Sequence, residues 1–180
     1  MGSIIRKDYK YKLVKNFLTN EERILLKNYV ISVHRNNTEL FDFRQNNVGD
    51  TFDAHNPIFD SLMLSKQKKV EEETSLKLFP TYSFWRMYTF GAKLEKHRDR
   101  PACEISITIK IDGDGTSWPI FMDDNPVDLD PGDACIYLGC EVYHRREEFE
   151  GDWQAQVFLH YVDANGPYTD HKFDRRDFIV

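Results

Sequence analysis

The stretch YTFGAKLEKHRD, residues 88–99, closes on a histidine, an arginine and an aspartate. In an extended chain alternate side chains share a face, so His97 and Asp99 converge on one point. A neutral imidazole and a carboxylate are two members of the 2-His-1-carboxylate set, which leaves positions open on a non-haem Fe(II). A second histidine must come from elsewhere. His144, in GCEVYHRREEFEG, is the best candidate, because the intervening chain is long enough for several strands to cross a barrel. A bare H-x-D pair also fits a solvated strand end, so its weight depends on the elements that carry it.

Those elements belong to a chain of 180 residues, 41% hydrophobic and 14% aromatic, which suits one domain over 1–180 with a proper core. A net charge of −6 gives no overall positive field to collect phosphates, and nucleic acid is disfavoured as a partner. The three cysteines, Cys103, Cys135 and Cys140, form no CxxC pair. This argues against a disulfide framework and a structural zinc and suits a reducing, cytoplasmic setting. No apolar run approaches the ~20 residues of a membrane span, and no signal peptide is read at the start.

The first half reads as helical support, about residues 19–75. Tyr9–Phe17 alternates apolar residues with lysine and predicts an edge strand. Thr19 and Glu22 form a capping box that starts a helix running to about His34, with Ile24, Leu25, Tyr29 and Val33 on its apolar face. His34 then complements the helix dipole. Residues 36–56 read as a long loop with a strand at Leu40–Phe43. Asn56-Pro57 opens a second helix to Thr74, burying Phe59, Leu62, Met63 and Val70, with KQKK and EEE as a solvated face. His55 and His171 read as surface residues.

From Leu76 to Pro167 the texture becomes short β segments separated by Gly, Asp, Asn and Pro. They are Thr81–Thr89, Ile105–Ile111, Trp118–Met122, Pro126–Leu129, Ala134–Leu138, Val142–His144 and Gln154–Val162. In EISITIKID, Ser106, Thr108 and Lys110 face one way and the four isoleucines the other. Trp85, Trp118 and Trp153 read as core or cavity-wall aromatics. His160 shares a face with Gln154 and Gln156 and is expected to be a hydrogen-bonded barrel histidine. The expected fold is mainly β with N-terminal helices: a double-stranded β-helix, the jelly-roll or cupin-like barrel, with two helices packed on one sheet.

Arg86 and Tyr88 before Gly91, the HRD at 97–99, the PGD turn at 131–133, His144 and the closing strand QAQVFLHYVD resemble, in order and spacing, the Fe(II)/2-oxoglutarate-dependent dioxygenases of the prolyl 4-hydroxylase-like branch. The resemblance implies Fe(II) held by His97, Asp99 and His144, 2-oxoglutarate as cosubstrate with Tyr88 beside it, and ascorbate as an accessory reductant. It implies O2 as partner to a peptide, amino-acid or small-molecule substrate, with succinate and CO2 as products. One position departs from that pattern. Where such enzymes carry an Arg or Lys for the distal carboxylate of 2-oxoglutarate, this chain has Gln154, and a neutral amide cannot neutralise the charge. Arg146, two residues past His144, Arg86, which shares a strand face with Tyr88, and Lys110 are the candidates to replace it. Two other readings remain at this level: a non-catalytic jelly-roll binding module, and a cupin-like enzyme using another divalent metal such as zinc.

Overall fold

The computed structural model describes residues 10–36 and 51–178. Two antiparallel sheets face each other. One has six strands: β1 (Tyr11–Val14), β8 (Ala134–Leu138), β5 (Ile105–Gly113), β10 (Trp153–Asp163), β3 (Leu78–Thr89) and β2 (Thr51–Ala54), in that spatial order. The other has four, in the order β4 (Leu94–His97), β9 (His144–Arg146), β6 (Ile120–Met122) and β7 (Asn125–Val127). This is the expected jelly-roll architecture. β1 is an edge strand as its lysines suggested, although it stops at Val14, where Asn16 turns the chain with a φ of 52°.

Two helices, α1 (Asn20–Asn36) and α2 (Pro57–Thr74), cover the outer face of the larger sheet. The capping box forms as read: the Thr19 amide donates to Glu22 at 2.8 Å and the Glu22 amide to Thr19 Oγ1 at 3.2 Å. The apolar face of α1 differs from the expected one. Leu26 and Val30 are its buried residues, whereas Ile24 and Leu25 are 45% and 61% exposed. Adjacent leucines leave the choice of stripe open in sequence, and docking on the sheet decides it.

α2 runs between the expected bounds and buries Phe59, Leu62, Met63 and Val70; Asn56 caps it by accepting from the Ile58 amide. Lys66, placed by sequence on the solvated face, is buried and pairs with Glu22 at 2.6 Å, tying the two helices together. His34 also departs from expectation. Burial and the neighbouring Arg35 pull its pKa down, and its Nδ1 meets Thr51 Oγ1 at 2.6 Å, so it contributes no dipole-complementing charge.

β2 arises within a stretch read as loop, while the strand expected at Leu40–Phe43 lies outside the described residues. β9 begins at His144, two residues later than expected, and carries Arg146 within it. The core is made by the outward isoleucines of β5, all four fully buried, with Trp85, Met87 and Leu159 beneath the helices. The opposite face of the same strands looks into the space between the sheets. After β10 the chain returns through Thr169–Arg175. There Asp174 takes a two-pronged contact from Arg100 at 2.8 and 2.9 Å, and Arg176 reaches Asp60 at 2.9 Å. His171 is half-buried beside Tyr168 rather than exposed.

Candidate active site

Strand alternation places one comb of side chains per strand in the intersheet space. β3 contributes Tyr82, Phe84, Arg86 and Tyr88, and β10 contributes Phe158 and His160. With Tyr137 of β8, Ile120 of β6 and Leu94, His97, Asp99 and His144, they line a cavity of about 280 Å³. Leu94 and His97 are three residues apart and would face opposite sides of a regular strand. A bulge resolves this: Leu94 pairs with Arg146 and His97 with His144, so one extra residue on β4 turns both side chains inward. No sequence signal marked that bulge.

The three residues expected to hold a metal come together. One ligand atom from each of His97, Asp99 and His144 lies within 4.8 Å of the others. Asp99 Oδ1 is 3.6 Å from His97 Nε2 and 3.4 Å from His144 Nε2, and the two rings are 4.2 Å apart. Backbone carbonyls orient both imidazoles. Nδ1 of His97 lies 2.8 Å from Glu95 O, and Nδ1 of His144 lies 3.2 Å from Val142 O. A carbonyl can only accept, so both Nδ1 atoms carry a proton and both Nε2 atoms are turned toward the shared centre. Burial alone would raise the Asp99 carboxyl, but the two imidazoles hold it well below the usual carboxylate range. Two imidazole Nε2 atoms and one carboxylate on a common side are a ligand set that fits a divalent ion with positions left open.

The backbone around Asp99 is equally constrained. Its amide donates to Gly139 O at 2.9 Å, and Ser106 Oγ donates to Asp99 Oδ2 at 2.9 Å. A Cβ on Gly139 would lie 2.1 Å from Cys103 O and 2.6 Å from Asp99 Oδ2, so only glycine lets this turn approach the carboxylate. His160 is a hydrogen-bonded barrel histidine as expected, with Nδ1 3.0 Å from Ser106 Oγ and its ring stacked 4.6 Å over Tyr82. Burial drives its pKa down to about 4, which keeps it neutral. Ser106 and Gly139 were not singled out in sequence as site residues; a serine in an alternating strand and a glycine in a turn carry no chemical signature.

The three cations expected as anion anchors differ in their settings. Arg146 follows His144 on the inward face of β9, while Arg145 points out over Phe121. Arg146 is 2% exposed and makes no ion pair among the described residues. One nitrogen donates to Trp118 O and the guanidinium lies 4.6 Å over the Trp118 ring, but Nε and Nη2 have no partner. Nearby, the Nε2 amides of buried Gln154 and Gln156 are also without an acceptor. Lys110 is 8% exposed, and burial followed by repulsion from Arg146 lowers its pKa. Buried donors with nothing to accept from them are costly, and such donors suit an anionic acceptor. Arg86 lines the cavity itself, among the Phe52, Phe84 and Tyr88 rings at 5.4 to 6.0 Å from their centroids. Tyr88 is buried against Trp118 and lines the cavity.

Similar solved structures share this arrangement of sheets. A Pseudomonas putida prolyl-4-hydroxylase aligns over 89% of this chain and 95% of its own with a TM-score of 0.65 and 16% identity. The viral collagen prolyl hydroxylase of Paramecium bursaria Chlorella virus-1, solved with 2-oxoglutarate, covers 86% and 96% with a TM-score of 0.64 and 11% identity. The non-haem α-ketoglutarate-dependent epimerase SnoN of nogalamycin biosynthesis covers 98% and 87% with a TM-score of 0.73 and 11% identity. The chain shares the jelly-roll fold of these proteins. No protein-family model matches the sequence, and no curated protein sequence matches it. The fold is thus shared with those proteins at 11 to 16% sequence identity. No helix among the described residues is long and apolar enough to cross a membrane.

Proposed function

We propose that this chain is an Fe(II)/2-oxoglutarate-dependent dioxygenase, a hydroxylase acting on a peptide, an amino acid or a small molecule. The observation that carries the reading is the pairing, on one three-residue strand, of an inward imidazole in a two-histidine, one-carboxylate cluster with a buried guanidinium whose Nε and Nη2 lack acceptors. A binding module has no need of both, and each is expensive to keep buried.

On this reading His97 Nε2, Asp99 and His144 Nε2 hold the iron. Arg146, assisted by Lys110 and the Gln154 and Gln156 amides, receives the distal carboxylate of 2-oxoglutarate. When bound, iron and cosubstrate supply oxidative decarboxylation to succinate and CO2, with an oxygen atom delivered to a substrate C–H bond. The protein's own work is positional. Carbonyl-anchored imidazoles fix the ligand directions, Tyr137 packs 4.9 Å from the His144 ring, and the Tyr88–Trp118–Phe149 cluster closes the inner end against water. The substrate approaches from the side where His97 is 41% exposed, past Tyr82, Phe84 and Phe158.

The test is metal-dependent conversion of 2-oxoglutarate to succinate by the purified protein with ascorbate as reductant. Activity lost to a chelator and restored by Fe(II), but not by Zn(II), is expected. Stoichiometric Fe(II) binding with no 2-oxoglutarate affinity would refute the cosubstrate, and hydrolytic activity restored by zinc would refute the reaction class. The candidate substrates are then distinguished by a mass gain of one oxygen.

A further inference from the structure

Around the proposed ligand Asp99, three side chains and a backbone carbonyl are linked in a way that the ligation itself does not require. Ser106 Oγ lies 2.9 Å from Asp99 Oδ2, 3.0 Å from Cys103 O and 3.0 Å from His160 Nδ1. Ligand atoms of Asp99, Cys103 and His160 also fall within 4.8 Å of one another. The serine hydroxyl bonds to Asp99 and His160, and Cys103 Sγ is engaged by the Tyr82 hydroxyl at 3.2 Å, so this trio is read as a hydrogen-bonded assembly.

The proton count decides its direction. A serine hydroxyl has one proton to donate and two lone pairs with which to accept. As a ligand Asp99 is a carboxylate, and it and the Cys103 carbonyl can only accept; of the two the carboxylate makes the stronger, charge-assisted bond. Once that proton is committed to Asp99 Oδ2, the contact with His160 exists only if Nδ1 is the donor. His160 is thus the Nδ1–H tautomer, and its proton holds Ser106 Oγ in the orientation that donates to Asp99. The stack on Tyr82 fixes the ring, and Tyr82 is fixed in turn by its hydroxyl's contact with Cys103 Sγ at 3.2 Å and by Arg100 lying 4.6 Å over its face.

We propose that Ser106 and His160 are positioning residues that occupy Oδ2 of Asp99 and leave Oδ1 alone to face His97 and His144, so that the carboxylate binds its metal through one oxygen. This rests on the metal reading above. The consequence is a count of free positions: a carboxylate gripping through both oxygens would take one more place on the ion, and a chelating cosubstrate together with O2 would then compete for what remains. Gly139 belongs to the same device, because its missing side chain is the space in which Oδ2 sits.

Co(II) binding tests this without turnover. The parent, Ser106→Ala, Ser106→Thr, His160→Asn and His160→Phe are titrated with Co(II) while its visible ligand-field bands are followed, and thermal unfolding of each is recorded alongside. Asparagine keeps an N–H where Nδ1 stands and phenylalanine removes it. Ser106→Ala and His160→Phe are expected to lose about 10-fold or more in affinity, within the range for loss of a partner to a metal ligand, and to shift the bands. Ser106→Thr and His160→Asn should stay close to the parent. A merely structural role would move the unfolding midpoints and leave the affinity and spectrum of the folded protein unchanged. Parent-like Co(II) binding and bands in folded Ser106→Ala overturn the proposal. If that variant does not fold, equal affinities in His160→Asn and His160→Phe overturn it. A parent that binds no Co(II), or a His97→Ala variant that binds it as tightly as the parent, overturns the metal assignment itself and the relay with it.

Discussion

Replacing Arg146 with methionine should make the ligand-free protein more stable and at the same time remove its response to 2-oxoglutarate. Burial lowers the Arg146 pKa from 12.5 to about 10. At neutral pH, well below both values, the charged form is the populated one and carries the full penalty, about 3 kcal/mol at 1.36 kcal/mol per pKa step. The charge-assisted bond to Trp118 O offsets about 2 kcal/mol of that. A flexible apolar side chain of similar length removes the penalty, the bond and the orphaned donors together. The expected net is a gain on the order of 1 kcal/mol, or about 2 to 4 °C in a domain of this size.

With Mn(II) in the site to prevent turnover, 2-oxoglutarate at a hundred times its Kd should stabilise the parent by about 2.7 kcal/mol, about 5 to 10 °C. The variant should show a small increment at most. Differential scanning calorimetry of both proteins, with and without 2-oxoglutarate, gives all four midpoints. An equal ligand increment in parent and variant refutes the anchor, and a clearly lower ligand-free midpoint in Arg146→Met refutes the electrostatic reasoning.

His97→Ala, Asp99→Ala and His144→Ala are each expected to abolish Fe(II) binding while far-ultraviolet circular dichroism remains that of the parent; stoichiometric iron in His144→Ala would remove it from the ligand set. Gly139→Ala should cost about 1 to 3 kcal/mol through overpacking and weaken metal binding as Asp99 is displaced, read by denaturant unfolding and Co(II) titration. Thr19→Ala should cost about 1 kcal/mol in urea unfolding by removing the α1 cap. Glu22 accounts for part of the acid sensitivity. Burial opposes its ionisation, but Lys66 and Thr19 together hold its pKa below 4.5. Its stabilisation is therefore present above pH 4.5 and is lost as pH falls through the lower folded-state value. The stability gap between parent and Glu22→Gln should be open at pH 7 and close in acid.

What could be read from sequence divides by physical cause. Alternation in EISITIKID located both faces of β5, because a two-residue period fixes sidedness wherever one face is core. The same rule placed Arg146 on the face of His144 and His160 beside Gln156, and Asn56-Pro57 located the start of α2. Properties set by contacts distant in sequence were not legible. The bulge between Leu94 and His97 depends on how β4 meets β9, the buried Lys66 depends on where Glu22 lies, and the choice of Leu26 over Leu25 depends on how α1 docks. Ser106 and Gly139 show the limit most directly, since one is a single hydroxyl and the other has no side chain, and both acquire meaning only beside Asp99.

β9 can also be considered as a measuring device. His144 and Arg146 sit at its two ends, and two residues of strand rise span about 6.6 Å. Pairing with β4 on one side and β6 on the other holds the strand, so that span cannot adjust to its occupant. On the proposed reading, the ruler selects cosubstrates by chain length. A keto diacid one carbon shorter than 2-oxoglutarate leaves the guanidinium unsatisfied, and one a carbon longer must buckle against Trp118. A four- or six-carbon homologue should therefore be discriminated against by the pitch of a β-strand, without any residue dedicated to refusing it.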